Sequence, residues 1–197
     1  MEQYMIELEE DEYSDALVDA IHLRKTDIMK SISDLSHLAD KNSKVALFVL
    51  GYIFLYGRHG VEVDRAKGEA LFLRACELGS LEASYRLGRY YQSIGRQTEA
   101  VQAFQRAADL GFSPALCRLG ALYQVGGVTE KDRSKSREYF NKSIARGNLI
   151  ARKGLAHLNL TSKNPVKVIM GLVQYILSIY PHYSQLRKDR SSDSLRN

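Results

Sequence analysis

Proline and cysteine are scarce in this chain, and each scarcity narrows the fold. The 197 residues hold three prolines, at 114, 165 and 181. The long proline-free stretches are rich in Ala, Leu, Arg and Glu, residues that lose little freedom in a helix. Two cysteines, Cys76 and Cys117, are too few for a disulfide framework. Both fall inside helical patterns, where a reduced thiol behaves as a small apolar side chain. Positive charge is missing from residues 1–23, which hold eight acidic side chains and no Lys or Arg. The opening MEQYMIELEEDEYSD is the opposite of a secretory signal, which needs a basic start and an apolar run. A cytoplasmic location is therefore expected.

The side-chain patterns of catalysis are missing too. The histidines are His22, His37, His59, His157 and His182, and no pair has metal-ligand spacing. There is no phosphate-binding glycine loop, dinucleotide fingerprint or nucleophile elbow. Carboxylate pairs such as Glu9-Glu10 lie in the acidic arm, where solvation explains them better than acid–base chemistry. The reading is of a protein that is not an enzyme, with no catalytic residues, no metal and no cofactor.

What is present is a repeat. Hydrophobic residues make up 45% and charged residues 26%, a soluble globular balance. Three stretches align: Ala46 to Gly79, Ala83 to Gly111 and Ala115 to Gly147, with a partial fourth from Ala151. Each has a Leu-Gly pair (Leu50-Gly51, Leu87-Gly88, Leu119-Gly120) and an aromatic three residues after that glycine (Phe54, Tyr91, Tyr123). A second aromatic, Phe72, Phe104 or Phe140, stands seven residues before the closing glycine. Ala, Leu and the first aromatic fall on one helical stripe, so each unit reads as two helices. The closing glycine suits a left-handed helix end. Asp64 and Asp132 stand where a side-chain cap is needed, and Gly95 makes the shorter turn of the middle unit. The register runs backwards as well. Leu35, Leu38 and Asn42 take the places of Phe72, Ala75 and Gly79, giving helices near Tyr13–Leu23 and Thr26–Lys41.

These residues resemble the Sel-1-like repeat family, a relative of tetratricopeptide repeats. In the first unit the resemblance rests on Ala46, Leu50, Gly51, Phe54, Gly57, Gly60, Val61, Asp64, Lys67, Phe72, Ala75 and Gly79. The third repeats most of them, through Ala115, Leu119, Gly120, Tyr123, Gly126, Gly127, Val128, Asp132, Lys135, Phe140 and Gly147. The middle unit departs by omitting the Gly-Val-Asp segment. The resemblance implies an all-α fold, a right-handed α/α superhelix (a solenoid) of about ten helices. It implies an adaptor or scaffold that assembles proteins, and it names no partner. The expected organisation is an acidic arm at 1–12, a single solenoid over 13–183 and a polar tail at 184–197. Within the solenoid the repeats run 46–79, 83–111 and 115–147, with a degenerate one at 151–163 and a final helix at 165–180.

In such a fold the first helices line a concave groove. The residues flanking each motif leucine would face it: Phe48, Tyr52, Tyr85, Arg89, Cys117, Lys153 and His157, with Leu55, Gln92 and Gln124 one turn on. That groove starts aromatic and ends basic, which suits a peptide or helix of a partner protein with an acidic segment. Phe48 and Tyr52 packing against the N-terminal helices is the competing reading. The final helix, Val166–Tyr180, is apolar but shorter than the roughly 20 residues of a membrane span. It caps the solenoid, dimerises, or meets a membrane or envelope complex with help from Arg187, Lys188 and Arg190. A basic helical repeat that binds nucleic acid is the remaining, least favoured class.

Overall fold

A computed structural model of the chain describes residues 11–126 and 132–176. Every regular element in them is helical. The chain divides into two compact units, Met1–Phe112 and Ser113–Asn197. The first holds α1 (Ser14–Leu23), α2 (Ile28–Asp40), α3 (Lys44–Tyr56), α4 (Arg65–Glu77), α5 (Leu81–Ser93) and α6 (Gln97–Asp109). The second holds α7 (Ser113–Val125), α8 (Arg133–Ala145), α9 (Leu149–Leu160) and α10, described over residues 165–176. Consecutive helices pack in pairs, α1 on α2, α3 on α4, α5 on α6 and α7 on α8. The acidic arm before residue 11, the end of the final helix beyond 176 and the polar tail lie outside the described residues.

The expected stops and starts are present and have visible causes. Gly79, Gly111 and Gly147 have φ of 80°, 98° and 82°, and Asn42 takes the same role at 65°. This left-handed residue turns the chain so that the next N–H returns to the helix. Ser80 donates to Ala75, Phe112 to Ala107 and Asn148 to Ser143, each at 2.9–3.1 Å. Asp27, Asp64 and Asp132 cap α2, α4 and α8, accepting from Lys30, Lys67 and Lys135 respectively. Serine and asparagine cap the first helices: Ser43 accepts from Ala46, Ser80 from Ala83 and Asn148 from Ile150. These polar residues satisfy amides that would otherwise be orphaned.

Inside the pairs α3–α4, α5–α6 and α7–α8 a phenylalanine of the second helix lies against a glycine of the first. Phe72, Phe104 and Phe140 are all but fully buried. A Cβ added to Gly51 would stand 3.1 Å from the Phe72 ring; at Gly88 it would stand 2.7 Å from Phe104, and at Gly120 2.8 Å from Phe140. The glycine is the hole into which the ring fits. Burying each ring stabilises by about 1.5–3 kcal/mol. A small residue one turn past each second-helix start lets the helices approach. It is Gly68 in one pair, where a Cβ would lie 2.7 Å from the Leu55 amide nitrogen. In two others it is a buried serine that hydrogen-bonds across: Ser31 Oγ to the Ala20 carbonyl at 2.6 Å, Ser136 Oγ to the Gly120 carbonyl at 2.8 Å.

The glycine–phenylalanine fit gives a direct prediction. Glycine to alanine inside a helix ordinarily stabilises by about 1 kcal/mol. At Gly88 the clash with Phe104 reverses the sign, and Gly88→Ala should destabilise by roughly 1–3 kcal/mol, read as a lower urea midpoint. Adding Phe104→Leu should cost less in the Gly88→Ala background than alone. Simple additivity of the two would show that the ring does not depend on the glycine.

Candidate interaction surface

The geometry shared by the pairs α3–α4, α5–α6 and α7–α8 extends to their open end. The motif aromatic of the first helix lies under a cation from the second. Lys67 Nζ stands 4.0 Å from the Phe54 ring centre and Lys135 Nζ 5.4 Å from that of Tyr123. The capping aspartate closes the same loop, with the Asp64 amide donating to the Phe54 carbonyl at 2.9 Å and that of Asp132 to Tyr123 at 3.0 Å. In the middle pair, whose loop is shorter, Arg96 replaces the lysine at 4.4 Å from the Tyr91 ring. Arg96 also pairs with Glu69 at 2.9 Å and Glu99 at 2.8 Å, and the Tyr91 hydroxyl donates to Glu69 at 2.7 Å. Burial and the Glu69 carboxylate hold the Tyr91 phenol well above its usual range. Arg96 keeps the Glu99 carboxyl below its own. These charges are engaged in holding helices together.

In the first unit, the residues expected to face a groove divide between core and surface. Phe48 is 8% exposed and Leu55 3% exposed, so both are core. The Phe48 ring lies 5.8 Å from that of Phe72 in its own repeat, and Leu55 takes the close approach of Gly68. The flanking-position rule fails here because α3 is apolar on nearly every side and is covered on most of them. Tyr85 is partly covered, its ring 5.1 Å from Phe112 and 5.7 Å from Phe104. Tyr52 and Gln92 are half-buried and Arg89 is exposed.

Around Tyr52 the structure gathers residues that the sequence pattern did not single out. The Tyr52 and Tyr56 rings stand 4.8 Å apart, one helical turn along α3. Arg58 lies over Tyr52 at 5.5 Å and donates to its hydroxyl at 3.3 Å. Tyr56 is 41% exposed. Burial of its hydroxyl, then the neighbouring Tyr52, raises its pKa, while Arg86 and Arg89 of α5 pull the other way. Arg86 pairs with Glu82 at 2.7 Å. The result is an aromatic shelf on α3 edged by Arg58 and Arg89. The legible signal was the i, i+4 pair Tyr52 and Tyr56, just before the Gly57 helix stop.

In the second unit, Cys117 packs against the core of Phe140, Ala151, Leu155 and Leu158. Burial pushes its thiol pKa up. It is partly buried, with one side packed on that core. Gln124 Nε2 and His157 Nδ1 are 2.6 Å apart, tying α7 to α9, and Lys153 is exposed. Among the described residues no cluster of His, Cys, Asp and Glu could hold a metal ion. No described helix is long and apolar enough to cross a membrane.

These features define a helix-pair repeat protein whose repeat-defining residues are structural. Residues 44–80, 81–112 and 113–148 each match the Sel1 repeat. More than half of the chain is covered, and the protein belongs to the Sel1 repeat family. Members of this family generally serve as protein-interaction scaffolds and are typically non-catalytic. Its fold is similar to that of a Sel1 repeat protein from Oxalobacter formigenes, at 23% identity and a TM-score of 0.66, over 82% of this chain and 71% of that one. It is similar to c5321, a protective antigen of uropathogenic Escherichia coli strains, at 18% identity and 0.63, over 78% of this chain and 37% of that one. MamA matches at 21% identity and 0.60, over 81% and 93%. No curated protein matches significantly.

The buried acids of this scaffold set its response to base. Tyr56, Tyr91, Cys76 and Cys117 all hold their protons more tightly than free side chains do. Unfolding releases those protons once the pH passes the unfolded pKa values. The contribution of these groups to stability is therefore full below about pH 8.5 and is lost progressively as the pH rises. Tyr91→Phe removes the strongest of these contributions. Its urea midpoint should fall less between about pH 9 and about pH 11 than that of the parent, and an equal fall would contradict the assignment.

Proposed function

We propose that the protein is a non-catalytic adaptor that holds a segment of a partner protein against the first-helix side of its repeats. The carrying observation is the shelf of Tyr52 and Tyr56 edged by Arg58 and Arg89 in the first unit. Tyrosine and arginine dominate the binding energy of many interfaces because they combine large contact area with directed polar groups. Two rings in contact offer a rigid apolar platform at small cost in rotamer freedom. The flanking guanidinium groups fit carboxylates. The favoured ligand is a peptide or helix with an apolar anchor beside acidic residues. Gln92 lies on the same helix as Arg89. Lys153 and His157 of the second unit are candidates for contacts of their own. The free thiols Cys76 and Cys117 agree with a reducing, cytoplasmic setting.

A peptide-display selection against the full chain tests this reading. It should return sequences with an apolar residue next to Asp or Glu, and binding should weaken with salt. Arg58→Glu with Arg89→Glu, both at exposed positions, should lower affinity at least about tenfold while leaving the thermal midpoint nearly unchanged. A selection without acidic bias, or binding indifferent to the charge reversals, would overturn it.

A further inference from the structure

The most exposed apolar surface among the described residues lies in the second unit, on α10. One side of this helix is seated on α9. A Cβ on Gly171 would stand 2.8 Å from the Leu160 amide nitrogen and 2.9 Å from the Ala156 carbonyl oxygen. Asn159 Nδ2 donates to Gln174 Oε1 at 2.9 Å beside it. These contacts fix which way the helix faces. Turned outward are Val166, Ile169, Met170, Leu172, Val173 and Ile176, each between 49% and 63% exposed. At 3.6 residues per turn they span an arc of about 160° centred opposite Gly171. A helix face this apolar is ordinarily covered.

The charge around it narrows what covers it. The described residues of this unit carry ten basic side chains against two acidic ones, Asp132 and Glu138. Asp132 is occupied as the cap of α8, and Glu138 pairs with Lys142 at 2.6 Å. Lys163 precedes α10, the exposed Lys167 lies on α10 at the margin of its seated side, and Arg152 lines a cleft of about 330 Å³ shared with Gln174, Ile144 and Leu155. A second copy docked on this face would set two strongly basic units against each other. An anionic surface meets no such repulsion. The outward arc is also a convex ridge, which a fluid interface can mould to without a matching cleft.

We propose that α10 and its flanking cations dock the protein on an anionic lipid bilayer, with the helix lying in the plane of the headgroups. Apolar side chains enter the headgroup–acyl boundary, and Lys163, Lys167 and Arg152 reach anionic headgroups along their flexible stems. The twelve described helical residues are about 18 Å long, enough for three turns of apolar side chains to lie along a bilayer surface. This surface is separate from the tyrosine–arginine shelf and does not depend on that reading.

Flotation of the full chain with phosphatidylcholine vesicles, with and without phosphatidylglycerol, decides the matter. The protein should float with the anionic vesicles, stay behind with the neutral ones, and be released largely by about 0.5 M salt. Ile169→Glu with Val173→Glu, at positions already half exposed or more, should lower the bound fraction about tenfold or more at an unchanged thermal midpoint. Lys163→Glu with Lys167→Glu should weaken binding to anionic vesicles as well. No flotation at low salt would overturn the proposal. So would flotation insensitive to the two apolar substitutions, or a dimer in light scattering that Ile169→Glu with Val173→Glu converts to monomer.

Discussion

Each complete repeat is held together by an aromatic ring seated on a missing side chain. Phe72 on Gly51, Phe104 on Gly88 and Phe140 on Gly120 set how closely the two helices of a pair approach. Much else follows from that distance. The small residue one turn into the second helix is needed because the backbones are near. The aromatic–cation stack and the capping aspartate meet across the open end of the pair because the ring below has aligned the two helices. A scaffold built this way resists change at a few positions and tolerates it at many others.

The fold was legible because the repeat encodes these contacts at fixed spacing. Asn42 could be matched to the closing glycines, and its φ of 65° follows from that role. Asp64 and Asp132 could be matched to caps because helix starts leave amides to satisfy. The serine and asparagine caps, Ser43, Ser80 and Asn148, were equally regular, three residues before each leading alanine, and escaped the alignment because Phe112 interrupts the series. Ser31 and Ser136 escaped it because a buried hydroxyl bonded to a carbonyl has no periodicity of its own.

The candidate surface was less legible for a physical reason. Counting two residues from a motif leucine places a side chain beside the core stripe, and neighbouring helices then decide whether it is inside or outside. Phe48 and Leu55 are inside, Cys117 is partly buried, and Arg89 and Lys153 are outside. Tyr56 and Arg58 stand at a helix end and in the loop after it, where loop lengths differ between repeats and alignment has least to say. Binding residues of repeat proteins vary where the scaffold does not constrain them.

Structural and interacting residues should therefore be separable by experiment. The most direct measurement is a substitution scan of the full chain read twice, once for folded abundance and once for capture of a display-selected peptide. The account predicts that substitutions at Gly51, Gly88, Gly120 and their phenylalanines lower both readouts, while those at Tyr56, Arg58 and Arg89 lower capture alone. Capture that follows abundance at every position, with no separate loss at Tyr56, Arg58 and Arg89, would contradict it.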